Sequence, residues 1–153
     1  MVLGIPETER KAVAAEMSRL LADSYTLYLT SHNYHWNITG PMFRTLHLMF
    51  EEHYVELAEA VDEIAERIRS LGFPAPASYA AFAEMSTVST DPGSPDAMGM
   101  VEALTIGHET AAATARSTLA TAETADDAAS ADLATRRIDV HEKTAWMLRS
   151  MLD

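Results

Sequence analysis

Residues 32–66 read HNYHWNITGPMFRTLHLMFEEHYVELAEAVDEIAE. This stretch holds four of the chain's six histidines and a dense set of acids. Gly40-Pro41 divides it, because glycine and proline punctuate regular elements. After the break Phe43, Leu46, Phe50, Leu57, Val61, Ile64, Ile68 and Leu71 recur at helical spacing. They predict a helix from near Pro41 to Gly72, with the glycine as its C-terminal stop. Taking His47 as zero on that helix, Glu51 falls near 40°, Asp62 near 60° and Glu66 near 100°. All four therefore share one side of it.

Working outward, the segment before the break predicts a helix from about Pro6 to near Asn37. Val13, Met17, Leu20, Leu21, Leu27 and Tyr28 mark its apolar face. His35 follows Met17 by about five whole turns, so it emerges on that same face. Past Gly72 the chain carries Pro74, Pro76, Pro92 and Gly93. That composition predicts a crossover, with a short helix over Ser78–Met85. Ser94-Pro95-Asp96 predicts a third long helix, to about Thr121. A fourth is predicted from about Asp127 to Met151, with Leu133, Ile138, Ala145, Leu148 and Met151 inward. Four long helices with one central crossover predict an all-α, ferritin-like four-helix bundle forming a single domain over 1–153.

The chain has no cysteine, which excludes a disulfide framework, a thiolate zinc site and a cysteine nucleophile. No uninterrupted apolar run approaches the length of a membrane span, and the N-terminus lacks the pattern of a signal peptide. A cytoplasmic protein with no membrane partner is the expectation. The formal net charge of −12 favours cations over phosphate backbones.

The His and acid set then imposes a geometric constraint. Buried imidazoles and carboxylates are costly without partners, and a metal ion satisfies several at once. Nitrogen and oxygen donors without sulfur suit non-haem iron, with zinc or manganese as substitutes. His47 and Asp62 lie about 22 Å apart along one helix, so one ion cannot touch both within a chain. Two chains pairing about a two-fold axis would bring His35, His47 and Glu51 of one copy to Asp62 and Glu66 of the other. No Glu-x-x-His occurs anywhere, so the usual intrachain di-iron arrangement is not expected.

The run His35-Trp36-Asn37, Gly40-Pro41, Phe43, Leu46-His47, Phe50-Glu51-Glu52, Asp62-Glu63 and Ala65-Glu66-Arg67 resembles the Dps family of mini-ferritins, as do His141 and Trp146-Met147-Leu148. The resemblance covers nearly the whole chain. It implies a hollow homododecamer that oxidises Fe(II) at two-fold interfaces, preferably with hydrogen peroxide rather than oxygen. It also implies ferric mineral stored inside and protection from oxidative stress. By position, His35, His47, Asp62 and Glu66 match the family's ferroxidase ligands. Glu51 matches a position where many members carry Asp. The resemblance further implies acidic three-fold pores, for which Asp127 and Asp132 are the candidates, although helix capping explains them equally well.

Other readings stay open. Glu63 and Arg67 are expected on a solvated face, and His32 and His53 away from the ligand side. His108 carries no assigned role; His141, Trp146 and Trp36 are expected to pack. A DNA-compacting nucleoid protein with incidental metal is the rival function, and a plain helical interaction module the third. The first 15 residues hold only Arg10 and Lys11 as basic side chains, so direct DNA binding is expected to be weak or absent.

Overall fold

Five helices, and no strand, are present among the described residues, 3–153 of the computed structural model. They are α1 (Glu7–Asn37), α2 (Phe43–Ser70), α3 (Tyr79–Met85), α4 (Ala97–Thr124) and α5 (Ala128–Arg149). The four long ones form the ferritin-like bundle expected, and α3 is the short helix of the crossover. Five residues join α1 to α2 and three join α4 to α5. Links that short leave neighbouring helices antiparallel. The molecule is thus two helical hairpins, and α1 packs on α4 to join them.

Each boundary has a local cause. Pro6 stands at the N-terminus of α1, with Glu7 and Glu9 in the first turn, where negative charge suits the helix dipole. After α2, Gly72 takes φ +101°, its N–H bonds to Arg69 O and Phe73 N–H bonds to Ile68 O. This is a Schellman closure, and it needs the left-handed residue that glycine supplies. The third long helix is capped by Asp96, whose Oδ1 accepts from Gly99 N at 2.8 Å, rather than by Ser94. That helix also runs past the expected Thr121 to Thr124. A second Schellman closure ends it, with Asp126 N–H on Glu123 O and Asp127 N–H on Ala122 O. Its left-handed residue is Asp126, φ 54°, so no glycine announced the stop.

The core is two apolar clusters at opposite ends of the bundle. One gathers Met17, Leu20, Leu21, Ile64, Ile68 and Leu133; the other Leu27, Tyr34, Leu46, Phe50, Leu104 and Leu148. Of the expected inward positions, Phe43 is instead exposed, Val61 and Tyr28 are half-buried, and Met151 is half-buried beyond the end of α5. Phe43 lies in the first turn of α2, outside the bundle's cross-section, where its ring stacks on His47.

The crossover is held down by a residue that hydropathy patterning passes over. Asp23 is fully buried in α1. Its Oδ1 accepts from Ser86 Oγ at 3.0 Å, Thr87 N at 2.6 Å and Val88 N at 3.2 Å. Its Oδ2 accepts from the hydroxyls of Thr87 and Thr114, each at 2.6 Å. One carboxylate therefore joins α1, the crossover and α4. The Tyr34 hydroxyl adds a second tether by donating to Pro92 O at 3.1 Å.

Candidate metal centre

His35 lies in the last turn of α1, where main-chain carbonyls run out of intrahelical donors. His47 lies across the Gly40-Pro41 turn, in the early part of α2. The His47 Nδ1 meets the His35 carbonyl at 2.7 Å, and the His35 Nδ1 meets the His47 carbonyl at 2.7 Å. The two rings stack with centroids 3.8 Å apart. A carbonyl oxygen only accepts, so each Nδ1 carries a proton, and Nε2 is the nitrogen left for a metal ion. This is the tautomer and orienting bond typical of a metal-ligating histidine.

Around the pair, His32 lies between Trp36 and Tyr54, stacked on both at centroid distances of 4.2 and 4.0 Å. Far from lying away from the site, His32 borders it, with its ring 6.4 Å from that of His35. Burial, and then the neighbouring His35, hold His32 below the ordinary histidine range. The Tyr54 hydroxyl donates to Glu51 Oε1 at 3.4 Å. Desolvation, followed by the Glu51 carboxylate, pushes the Tyr54 phenol up. Trp36 packs on the His32 ring while remaining 62% exposed, and Trp146 is 59% exposed.

Asp62 and Glu66 stand exposed further along α2, and neither makes a salt bridge or hydrogen bond among the described residues. Their neighbours differ. Glu63 takes two bonds from Arg136, at 2.6 and 3.1 Å, which hold its carboxyl below the usual range. Arg67 reaches Asp127 Oδ1 at 2.7 Å and Ser130 Oγ at 2.9 Å. Glu63 keeps the exposed setting expected from the sequence and Arg67 is half-buried, and each in addition bridges α2 to α5 or its cap. Within one chain no three His, Asp or Glu side chains of the described residues are gathered so that they could hold a metal.

Asp127, a pore candidate from the sequence for which helix capping is the other reading, takes part in the contact with Arg67. It is 2% exposed, caps α5 by accepting from Ser130 N at 3.1 Å, and pairs with Arg67. Within the chain its carboxylate is buried, as a cap and ion-pair partner. Asp132 is exposed and pairs with Arg136 at 3.0 Å.

A second histidine group lies inside the bundle, where His141 was expected to pack but His53 and His108 had no assigned place. His108 and His141 are buried and their Nδ1 atoms meet at 2.9 Å. His53 stands edge-on to His108, with centroids 5.7 Å apart. Burial depresses all three: His53 to about 4, His141 to about 3 with Arg137 adding to the effect, and His108 well below its usual value. Helical spacing on α5 places Arg137 and His141 on one face. The partner ring is 33 positions earlier on another helix, so only packing reveals the pair.

The bundle, its short crossover helix and the histidines at the α1/α2 turn define the class of ferritin-like domains, and a family model of the ferritin-like domain matches residues 14–153. The chain belongs to the Dps family within that class. It is 36% identical to the DNA protection during starvation protein 2 of Bacillus anthracis, over 94% of this chain and 98% of that protein. It is 37% identical to an uncharacterized low-temperature-induced protein of a Nostoc species, over 99% of this chain and 86% of that one. The crystal structure of a Dps protein from Vibrio cholerae superposes with TM-score 0.95 at 29% identity, covering 100% of this chain and 96% of that one. That protein is described as one of the ferritin-like diiron-carboxylate proteins. A Dps structure from Bacillus brevis gives TM-score 0.92 at 34% identity, covering 95% of this chain and 98% of that one.

Proposed function

We propose that this protein stores iron and protects against oxidative damage, oxidising Fe(II) at sites shared between two copies of the chain. Iron is the substrate as well as the cargo. The observation that carries the reading is the crossed pair His35/His47, which holds two lone-pair nitrogens side by side at one end of α2. Asp62 and Glu66, unpaired and exposed, supply the complementary oxygen donors. An antiparallel pairing of α2 helices across a two-fold axis brings one set to the other and generates two identical sites. Glu51, half-buried beside His47, adds a carboxylate that Tyr54 orients.

The donors fit the chemistry. Neutral imidazole holds Fe(II) without adding charge, and carboxylates favour Fe(III) once it forms. With hydrogen peroxide as oxidant, two Fe(II) ions give one electron each. The O–O bond breaks, and both oxygens leave as water after taking up two protons. Pairing the electrons in this way avoids the one-electron step that releases hydroxyl radical. The ferric product is then deposited inside a dodecameric shell.

The acidic surface argues against the rival, a DNA-compacting role, since phosphate contacts are made by cationic side chains. Direct DNA binding at neutral pH is therefore weak or absent. Tight binding in a gel-shift at physiological salt, without bridging cations, would reverse that conclusion.

The test is absorbance of ferric product after adding Fe(II) and hydrogen peroxide, with native mass measured alongside. Rapid product from a twelve-subunit particle is expected. Loss of the fast phase in His47→Ala/Asp62→Ala supports the shared site, and an unchanged rate in that double variant removes it.

A further inference from the structure

Four of the chain's five tyrosines stand in single file, beginning beside Glu51 and His35. Tyr54 on α2 is the near end. Its hydroxyl donates to Glu51 Oε1 at 3.4 Å, and its ring lies edge-on to that of His35, with centroids 5.2 Å apart. From there the centroid steps are 6.2 Å to Tyr28, 5.5 Å to Tyr25 and 6.4 Å to Tyr79. All three are edge-on contacts within the ordinary aromatic range of about 4.5–7 Å. The file crosses from α2 over α1 to α3. The fifth tyrosine, Tyr34, is buried in the core, and its hydroxyl is tied to Pro92.

None of the four is a core residue. Tyr25, Tyr28 and Tyr54 are half-buried, and Tyr79 is 73% exposed. Cysteine, the side chain that oxidants usually attack first, is absent. Tyrosine and tryptophan are then the side chains that give up a single electron most readily. Trp36 nears the centre only through His32, on which it stacks at 4.2 Å, whereas Tyr54 touches two of the candidate ligands directly. Hydrogen peroxide consumes two electrons, and a site holding a single Fe(II) supplies one. A second donor must give the other electron, or hydroxyl radical escapes.

We propose that Tyr54 is that donor and that Tyr28, Tyr25 and Tyr79 carry the oxidising equivalent away from the iron. The inference rests on the iron-oxidising reading of the shared centre. In the half-loaded step, Fe(II), one tyrosine, hydrogen peroxide and one proton give Fe(III), one phenoxyl radical and two water molecules. The O–O bond breaks. Fe(II) and Tyr54 each lose one electron, and peroxide takes both. The phenol proton leaves along the bond to Glu51, and the second proton comes from solvent. One electron and one proton then pass from Tyr28 to Tyr54, from Tyr25 to Tyr28 and from Tyr79 to Tyr25. The radical ends on α3, three ring contacts beyond Tyr54. With two Fe(II) bound, the second iron gives its electron instead and the file stays reduced.

The assembled protein is loaded with one Fe(II) per site, mixed with hydrogen peroxide and freeze-quenched for electron paramagnetic resonance. A tyrosyl signal is expected in the wild type. It should disappear in Tyr54→Phe, while hydroxyl-radical adducts of a nitrone spin trap rise severalfold. Tyr28→Phe keeps its ring in place and breaks the file one step later. That variant should hold the radical on Tyr54 and show a line shape different from the wild type's. An unchanged tyrosyl signal in Tyr54→Phe overturns the relay, as does a tryptophan radical in the wild type. Identical line shapes in Tyr28→Phe and the wild type overturn it too. Fast ferric product at two Fe(II) per site, without any protein radical at one, overturns the relay alone and leaves the shared centre standing. Absence of fast ferric product in the wild type removes the iron centre, and the relay with it.

Discussion

His35 and His47 each donate an Nδ1–H to the other's main-chain carbonyl, and the two rings so anchored stack with centroids 3.8 Å apart. The two behave as one unit, and their removal should not be additive. His35→Ala and His47→Ala are each expected to slow peroxide-dependent iron oxidation at least ~10–100-fold, the usual cost of a disturbed metal-ligand shell. The double variant should be only marginally slower than either single one. Initial rates of ferric product formation check this, and strictly additive losses would separate the two rings.

Asp23 predicts a stability effect far from the metal centre. Replacing it with Ala removes the acceptor of the buried Val88 N–H and Thr114 hydroxyl, and of the more exposed Ser86 and Thr87 donors. Each stranded donor costs about 1–3 kcal/mol, partly relieved where water enters. Asp23→Ala should therefore lose at least about 3 kcal/mol in urea unfolding. Asp23→Asn should lose less, because one amide oxygen still accepts. Equal stability of Asp23→Ala and the wild type would deny the carboxylate its role as anchor.

Gly107 sets two effects against each other. Alanine is the better helix former by about 1 kcal/mol. A Cβ at this position, however, would stand 2.7 Å from Leu27 Cδ2. Leu27 is itself buried in the core, so its end cannot swing into open space. Overpacking of that kind costs about 1–3 kcal/mol. A net loss of stability in Gly107→Ala is expected from thermal melting; a gain would mean that Leu27 relaxes freely.

Asp127 separates a capping role from a pore role. Losing the cap and leaving Arg67 without its partner should cost Asp127→Ala about 1–3 kcal/mol. Asp132→Ala, which breaks only an exposed pair, should stay within about 0.5 kcal/mol of the wild type. Chemical unfolding of both variants, with iron uptake measured in parallel, decides the matter. An Asp127→Ala protein of wild-type stability but slowed uptake would assign Asp127 to a pore.

Much of this was legible in one dimension. The apolar periodicity of residues 13–27 and 46–71 gave two helices, and Gly40-Pro41 placed the turn that brings His35 beside His47. The shared face of His47, Glu51, Asp62 and Glu66 followed from the turn angle of a helix alone. The crossed hydrogen bonds were not legible, because they depend on how tightly residues 38–42 close. Asp23 escaped notice for a related reason. Its partners are hydroxyls and amides of a segment with no periodicity, and only the Ser and Thr richness of residues 86–90 hinted at donors. His108 and His141 looked unexceptional because each stands alone on its own helix. Arg67 and Glu63 looked like residues of a solvated face, and their partners Asp127 and Arg136 lie 60 and 73 positions away, beyond the reach of helical spacing.

Asp23 and Thr114 are 91 positions apart, yet a single bond joins them and with it the two hairpins. Each hairpin closes locally and fast, whereas this bond waits until both have met. Asp23 is in that sense a latch fastened late in folding. Loosening it is expected to hasten unfolding while leaving the pace of refolding nearly unchanged, a split that stopped-flow measurements resolve. The lifetime of the assembled chain thus rests on a carboxylate that never meets iron.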